Sequence, residues 1–304
     1  MNNNNKYSKL SNLEKHINSK IIGQYEVIPK LVETLRIGEM GLADKDRPKG
    51  SFLFLGPPGV GKTETVKVFT EYLFGNDHLY RFDMSEYMHF DSVKEFRGDE
   101  TGSSGRLGQI LNANKYGTLL FDEMEKAHKQ IMDLFLQILD AARITLGNGE
   151  TYDLHNYYIV FTSNIGAKEI NPNIKNIETM YRAIQTEISK QLRREFIDRL
   201  SLGICIFKNL SIDEKDQIAL NIFNNELNRL KEKGYYLDYE DNAFLNLKER
   251  GISKEKGIRM LRDIIQRSIN GAICDCVIDK QASGSGTLYY SKNENKIKIK
   301  NSPL

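Results

Sequence analysis

The stretch Gly56-Pro57-Pro58-Gly59-Val60-Gly61-Lys62-Thr63 constrains this chain more than any other. It fits the pattern G-x-x-x-x-G-K-[ST], and its flanks have the form that pattern needs. Before it, Phe52-Leu53-Phe54-Leu55 reads as a short buried strand. After it, Glu64-Thr65-Val66-Lys67-Val68-Phe69 reads as the start of a helix. Strand, glycine-rich turn and helix N-terminus together make an anion cradle. The glycines let backbone N–H groups wrap a phosphate, and the helix end favours negative charge there. The nucleotide-binding candidates are Gly56 through Thr63, with Glu64 at the opening of the helix. In such a loop Lys62 would reach the β- and γ-phosphates of ATP, and the Thr63 hydroxyl would sit on Mg²⁺.

Four further apolar runs read as strands: Leu79-Tyr80-Arg81-Phe82, Gly117-Thr118-Leu119-Leu120-Phe121, Tyr157-Tyr158-Ile159-Val160-Phe161 and Gly203-Ile204-Cys205-Ile206-Phe207. Helical patterns intervene, such as Gln130 to Ala142. Buried-type strands alternating with helices predict an α/β fold with a five-stranded parallel sheet and flanking helices. Upstream, residues 1–10 are expected to be disordered. Ser11-Asn12-Leu13-Glu14 reads as a capping box opening a helix, and a second helix is expected from about Tyr25 to Met40. After Lys208 the pattern changes. Ser211-Ile212-Asp213-Glu214 is another capping box, opening a helix to about Lys233. Helix-like segments follow at Asp241 to Arg250 and from Gly257 to about Asp279. A hairpin of Gly286-Thr287-Leu288-Tyr289-Tyr290 with Lys296-Ile297-Lys298-Ile299 comes last. The expected organisation is a large domain over residues 11–208 and a smaller, mostly helical domain over 209–304.

Bulk properties exclude several classes. With 304 residues there is chain enough for a sizeable core. A net charge of +2 demands neither nucleic acid nor an anionic membrane as partner. No apolar run approaches the roughly 18 residues of a membrane span, and the polar start has no apolar signal core, so the expected compartment is the cytoplasm. The three cysteines imply no disulfide framework, and Cys274-Asp275-Cys276 lacks the nearby ligands a metal site needs.

A second set of residues supplies the chemistry. The strand Leu119-Leu120-Phe121 ends in Asp122-Glu123. Downstream of a phosphate loop, Asp122 is placed to hold Mg²⁺, through water, and Glu123 to polarise the attacking water as general base. The strand at 157–161 runs into Thr162-Ser163-Asn164. If it lies between the strand at 52–55 and the strand at 117–121, Asn164 lands beside the γ-phosphate, where a neutral amide orients water without adding charge. Arginines stabilise the charge that spreads over γ-phosphate oxygens during transfer, but spacing alone does not select any of the 43 basic residues for that work.

A resemblance does select them. The chain resembles the Clp-type AAA+ ATPases, and most of all the second ATPase module of the two-ring disaggregases. Ile21-Ile22-Gly23-Gln24 is similar to the adenine-side motif of that family. Asp83-Met84-Ser85-Glu86-Tyr87-Met88 and Leu120-Phe121-Asp122-Glu123-Met124-Glu125-Lys126-Ala127-His128 are specific strings. Phe161-Thr162-Ser163-Asn164-Ile165-Gly166-Ala167 is similar to the segment around the first sensor, and Glu195-Phe196-Ile197-Asp198-Arg199 to the arginine-finger segment. Gly257-Ile258-Arg259-Met260-Leu261-Arg262 is similar to the second sensor. The resemblance covers about residues 12–300 and implies an AAA+ large domain with a helical lid. It further implies a homo-oligomeric ring, usually a hexamer, with ATP between subunits. Ile21 and Ile22 would then flank the adenine, Arg199 would act on the neighbour's nucleotide and Arg259 on its own. His128 would be structural.

The chain also departs from that family. Threading members grip polypeptide with an aromatic in a glycine-rich pore loop. The equivalent here, Gly98-Asp99-Glu100-Thr101-Gly102-Ser103-Ser104-Gly105-Arg106-Leu107-Gly108, has none and is shorter. Three readings follow. The ring threads with other residues, such as those of Leu146-Gly147-Asn148-Gly149-Glu150-Thr151; it remodels a folded partner without threading it; or it is a switch or scaffold ATPase within a larger secretion, phage-like or mobile-element machine. No adaptor-binding domain is expected before the first helix, and substrate choice is therefore expected from loops, the polar start or a partner. The lack of an Ile-Gly-Leu or Ile-Gly-Phe loop weighs against docking to a Clp-type peptidase. The near-neutral charge and lack of a basic helix weigh against a DNA-linked role.

Overall fold

Five apolar runs become one parallel sheet. The computed structural model describes residues 3–170, 177–252, 258–279 and 282–300. The strands are β1 (Gly50–Leu55), β2 (Leu79–Asp83), β3 (Gly117–Asp122), a short hairpin β4 (Arg143–Thr145) and β5 (Thr151–Asp153), then β6 (Tyr157–Ser163) and β7 (Ile204–Ile206). The sheet order is β2-β3-β6-β1-β7, parallel throughout, with β4 and β5 standing apart as an antiparallel pair. The strand carrying Thr162 thus lies between β3 and β1, as the sequence reading of Asn164 requires. β1, β3 and β6 are buried along their whole length, which is why they read as continuous apolar runs rather than as alternation.

Helices α1 (Asn3–Lys20), α2 (Ile28–Glu39), α3 (Lys62–Phe74), α4 (Phe90–Arg97), α5 (Gly105–Ala113), α6 (Lys129–Ala141), α7 (Ile177–Gln191) and α8 (Arg194–Asp198) accompany this sheet. A column of aromatic rings fixes the two central strands. Phe121 of β3 lies 5.4 Å from Phe161 of β6 and 4.5 Å from Phe135 of α6, and Phe161 lies 4.9 Å from Phe196 of α8. All four are fully buried, each contributing about 2–3 kcal/mol by removal from water. The residues that follow Phe121 and Phe161 along the chain are the polar ones that matter below, so the packing sets their positions.

The N-terminus differs from expectation. Rather than a disordered stretch through residue 10 and a helix capped at Ser11, α1 already starts at Asn3, and Ser11 lies inside it with Oγ donating to Ser8 O at 2.9 Å. Tertiary contacts override the polar composition. Leu10, Leu13 and Ile17 are buried on one face, Tyr72 of α3 donates to Lys9 O at 3.0 Å, and Arg36 of α2 donates to Leu10 O at 3.0 Å. The β4–β5 hairpin was not foreseen either, because three-residue strands are too short to show a period.

A break between Asn209 and Leu210 separates the second compact unit. Here the capping box at Ser211 is present: Ser211 Oγ accepts from Glu214 N at 3.2 Å, and Glu214 returns the bond to Ser211 N at 2.7 Å. It opens α9 (Ile212–Glu232), followed by β8 (Leu237–Tyr239), α10 (Asp241–Gly251), α11 (Leu261–Cys274), β9 (Gly286–Ser291) and β10 (Lys296–Lys300). The hairpin gains a third strand, β8, which pairs parallel to β9. Phe223, Leu247, Leu261, Ile265, Ile269, Leu288 and Ile297 form the core of this unit. Gly257, the first residue of the second-sensor string, lies outside the described residues.

Candidate active site

The phosphate loop leaves β1 at Gly56 and enters α3 at Lys62. Gly56, Gly59 and Gly61 have φ of 154°, 79° and 102°, values that side-chain-bearing residues rarely adopt. Gly56 has a steric reason too, since a Cβ there would stand 2.5 Å from Phe207 O, just beyond β7. The N-cap of α3 is Gly61, with no side chain to satisfy the first turn's N–H groups, as a helix end built for an anion requires. Lys62 is buried. Its ammonium donates to Gly56 O, to Pro57 O at 3.1 Å and to Asn164 Oδ1 at 2.9 Å.

Asn164 is the bridge. It follows β6, its Oδ1 accepts from Lys62, and its Nδ2 donates to Glu123 Oε1 at 3.4 Å. A lysine of the phosphate loop, an amide and a carboxylate thus form one connected chain across three neighbouring strands' ends. Asn164 is itself held by its backbone, whose N–H donates to Glu125 Oε1 at 3.1 Å. Glu123 follows β3 with φ 56° and ψ 47°, a left-handed conformation that costs a residue with a Cβ about 1–2 kcal/mol. Its carboxylate also pairs with Lys126 one turn on. That hydrogen bond and charge hold the Lys126 ammonium above its ordinary pKa.

Asp122 ends β3 buried and densely bonded. One oxygen accepts from the Thr162 hydroxyl. The other lies 3.4 Å from Thr63 Oγ1, which donates to it, and 2.6 Å from the Arg81 guanidinium. Next to it, Asp83 ends β2. Burial pushes the Asp83 carboxyl up, but hydrogen bonds from Ser85 and the charges of Arg81 and Lys126 outweigh this, and its pKa lies below the usual range. Carboxylates and cations therefore alternate along the strand ends.

Lys62, Thr63, Asp122, Glu123 and Asn164, all candidates from the sequence, come together in one cluster, and four residues that the sequence reading did not single out hold it. Arg81, inside a strand run, had no signal beyond being basic, and Lys126, although inside the quoted string that ends at His128, had no role assigned. Glu125 and Thr162 lay inside quoted strings but are made useful only by the pairing of β3 with β6. Ile21 and Ile22 are buried, and Gln24 beside them pins their segment to the chain after β7: its amide donates to Lys208 O and accepts from Lys208 N, both at 3.0 Å. Arg199 follows α8, where its guanidinium pairs with Asp140 of α6 and lies 3.9 Å from Glu195. Arg259 is exposed in the turn before α11 of the smaller unit. His128 caps α6, accepting from Gln130 N at 3.3 Å. Among the described residues no cluster of His, Cys, Asp and Glu could hold a metal on its own, and no described helix is long and apolar enough to cross a membrane. Cys205 is buried, which pushes its thiol up to about 12.

The loop between α4 and α5 is closely tied. Asp99 N donates to Ser103 O at 3.1 Å, Asp99 Oδ1 accepts from Thr101 N at 3.0 Å, and Gly147 of the β4–β5 turn donates to Arg97 O at 2.8 Å. A Cβ on Gly98 would stand 1.8 Å from Ser103 O, and one on Gly147 would stand 2.2 Å from Gly98 O. Glycine is what lets the two loops touch.

A parallel sheet with a phosphate loop after its first strand, paired carboxylates at the end of β3 and a polar residue after β6 defines a P-loop nucleotide-hydrolase fold. Within that class the chain belongs to the Clp-type AAA+ ATPases: residues 47–202 match the family described as AAA domain (Cdc48 subfamily), and residues 210–289 match the C-terminal, D2-small domain of ClpB protein. It is 34% identical over 280 residues to chaperone protein ClpB of Vibrio vulnificus strain YJ016, covering 89% of this chain and 32% of that one. It is 33% identical over 287 residues to the ATP-dependent Clp protease ATP-binding subunit ClpC of Staphylococcus epidermidis, covering 89% and 35%. The structure of the S. cerevisiae Hsp104–ADP complex superposes with a TM-score of 0.85 at 30% identity, covering 97% of this chain and 53% of that chain. A closed-state reconstruction of Hsp104 with ATPγS and FITC casein gives 0.83 at 30% identity, covering 97% and 52%. The chain spans about a third of the length of these curated relatives.

Proposed function

We propose that this chain hydrolyses ATP and couples hydrolysis to the remodelling of protein substrates or complexes, as a subunit of a homo-oligomeric ring. The observation that carries the chemical part is the Lys62–Asn164–Glu123 chain of hydrogen bonds, with Asp122 and Thr63 beside it. The backbone N–H groups of the loop and Lys62 bind the phosphates. Glu123 takes the proton from the attacking water, and Asn164 orients that water while sensing the γ-phosphate through Lys62. Thr63 Oγ1 and Asp122, hard oxygen donors 3.4 Å apart, fit Mg²⁺, which when bound neutralises phosphate charge. Ile21 and Ile22 flank the adenine. Arg199 serves a neighbouring subunit's nucleotide, and Arg259 enters this reading on its motif alone.

The remodelling part rests on the relatives, which carry the names of chaperone and Clp ATP-binding subunits, and on Hsp104 having been seen with casein. A hexamer is the assembly proposed, acting on protein rather than nucleic acid, in the cytoplasm, without a Clp-type peptidase. One observation favours a second reading, the non-threading switch or scaffold of a larger machine. The exposed tip Glu100-Thr101-Gly102-Ser103 offers only small and polar groups, and it is tied to the β4–β5 turn through Gly98 and Gly147. Such a tip has little apolar area for holding an unfolded chain.

The test is the solution mass of the Glu123→Gln variant with and without saturating Mg-ATP, beside the ATPase rate of the parent. A nucleotide-dependent shift to about six subunits, with a parent rate stimulated by unfolded protein, supports the ring motor. A monomer in both states, with no stimulation, overturns it in favour of the switch.

A further inference from the structure

Thr162 is 1% exposed and has no place in the binding or chemical roles above. Its hydroxyl nevertheless touches both acidic residues at the end of β3. It donates to Asp122 Oδ1 and accepts the backbone N–H of Glu123 at 3.1 Å. The direction is fixed by chemistry: an ionised carboxylate only accepts and an N–H only donates, so the hydroxyl's single proton goes to Asp122 and its lone pair receives Glu123. One buried oxygen thereby joins the side chain of the first carboxylate to the main chain of the second.

The backbone of Glu123 shows why that matters. Its left-handed φ and ψ are uncommon for a residue with a Cβ and persist only where surrounding structure enforces them. The side chains of Lys126 and Asn164 act on the Glu123 carboxylate, and the Lys126 N–H donates to the Glu123 carbonyl at 3.0 Å, on the far side of the residue from φ. The Thr162 hydroxyl acts on the peptide that sets φ. Turned out of the left-handed region, the Glu123 side chain would leave Asn164; without the Thr162 hydroxyl, Asp122 would also lose a bond that fixes its rotamer.

We propose that Thr162 is the positioning residue of the hydrolytic site, holding Glu123 in its left-handed conformation and Asp122 in register with it through one shared hydroxyl. The inference rests on the hydrolytic reading above for its catalytic consequence, though not for its structural content. Two variants separate these. Thr162→Val removes the hydroxyl at nearly constant shape, and Thr162→Ser keeps it.

The expected results are a kcat lower by about 10²-fold in Thr162→Val with KM for ATP within about twofold, and near-parent values in Thr162→Ser. In a Glu123→Gln background, Thr162→Val should lower the residual rate by much less than about 10²-fold, because only the Asp122 contact is then left to lose. Amide hydrogen exchange at Glu123, read by NMR, should be at least about tenfold faster in Thr162→Val than in the parent or Thr162→Ser. Unchanged exchange in Thr162→Val overturns the proposal, whether or not the protein hydrolyses ATP. Faster exchange with unchanged kcat overturns its catalytic consequence. A parent that hydrolyses no faster than Glu123→Gln overturns the hydrolytic reading instead, and leaves the exchange experiment to decide the role of Thr162. Should Thr162→Val fail to fold, Thr162→Ala against Thr162→Ser carries the same comparison.

Discussion

The carboxamide of Asn164 donates to Glu123 at 3.4 Å while its oxygen accepts from Lys62 at 2.9 Å, so the group that would activate water and the group that would hold the γ-phosphate share one intermediary. Removing it should separate binding from chemistry. Asn164→Ala is expected to lower kcat by about 10²-fold or more with little change in nucleotide affinity. Asn164→Asp should be worse, because it adds a negative charge beside Glu123. Steady-state ATPase assays with fluorescent-nucleotide titration check both.

A composite site makes a complementation prediction. Arg199→Ala should reduce the rate by about 10³-fold while ATP still binds. Mixed with Glu123→Gln, which keeps Arg199, it should regain measurable hydrolysis, since some interfaces then hold both groups. Additivity of two inactive proteins, with no recovery on mixing, would show that Arg199 does not act between subunits.

The loop after α4 should respond to a single methyl. Gly98→Ala places a Cβ 1.8 Å from Ser103 O at φ 77°, and is expected to cost about 1–3 kcal/mol and lower Tm. Gly102→Ala, with φ 103° but nothing within 4 Å, should cost only about 1 kcal/mol. Equal effects in thermal denaturation would mean that the contact with Ser103 is not what restricts position 98.

Acid stability of the smaller unit should depend on Glu226. Burial pushes its carboxyl up, but hydrogen bonds from Arg229 at 2.8 Å and Gln266 at 3.2 Å, with the Arg229 charge, more than offset this and hold its pKa below the usual value. A carboxyl whose folded pKa is depressed stabilises above its unfolded pKa of about 4.3 and loses that contribution as pH falls through the lower, folded value. Glu226→Gln should therefore be less stable than the parent by about 1–3 kcal/mol at pH 7. The gap should narrow below about pH 4. Denaturant unfolding at both pH values measures it, and a gap independent of pH would contradict the assignment.

The sequence by itself determined the parts whose physics is local. Five apolar runs, a glycine-rich turn between strand and helix, and the Ser211 capping box depend on neighbours within a few residues, and so were legible in order. The string Leu120-Phe121-Asp122-Glu123 carried its own meaning because a strand end is local too. Tertiary structure decided the rest. That β6 inserts between β3 and β1 is a matter of long-range pairing, and only this insertion sets Asn164 against Lys62 and Thr162 against Asp122 and Glu123. Arg81 meets Asp122 because β2 and β3 pair in register, a contact 41 residues apart in sequence that no periodicity announces. The start of α1 reversed its local reading for the same reason: polar Asn and Lys residues argue for disorder until α2 and α3 offer Leu10, Leu13 and Ile17 a surface on which to be buried.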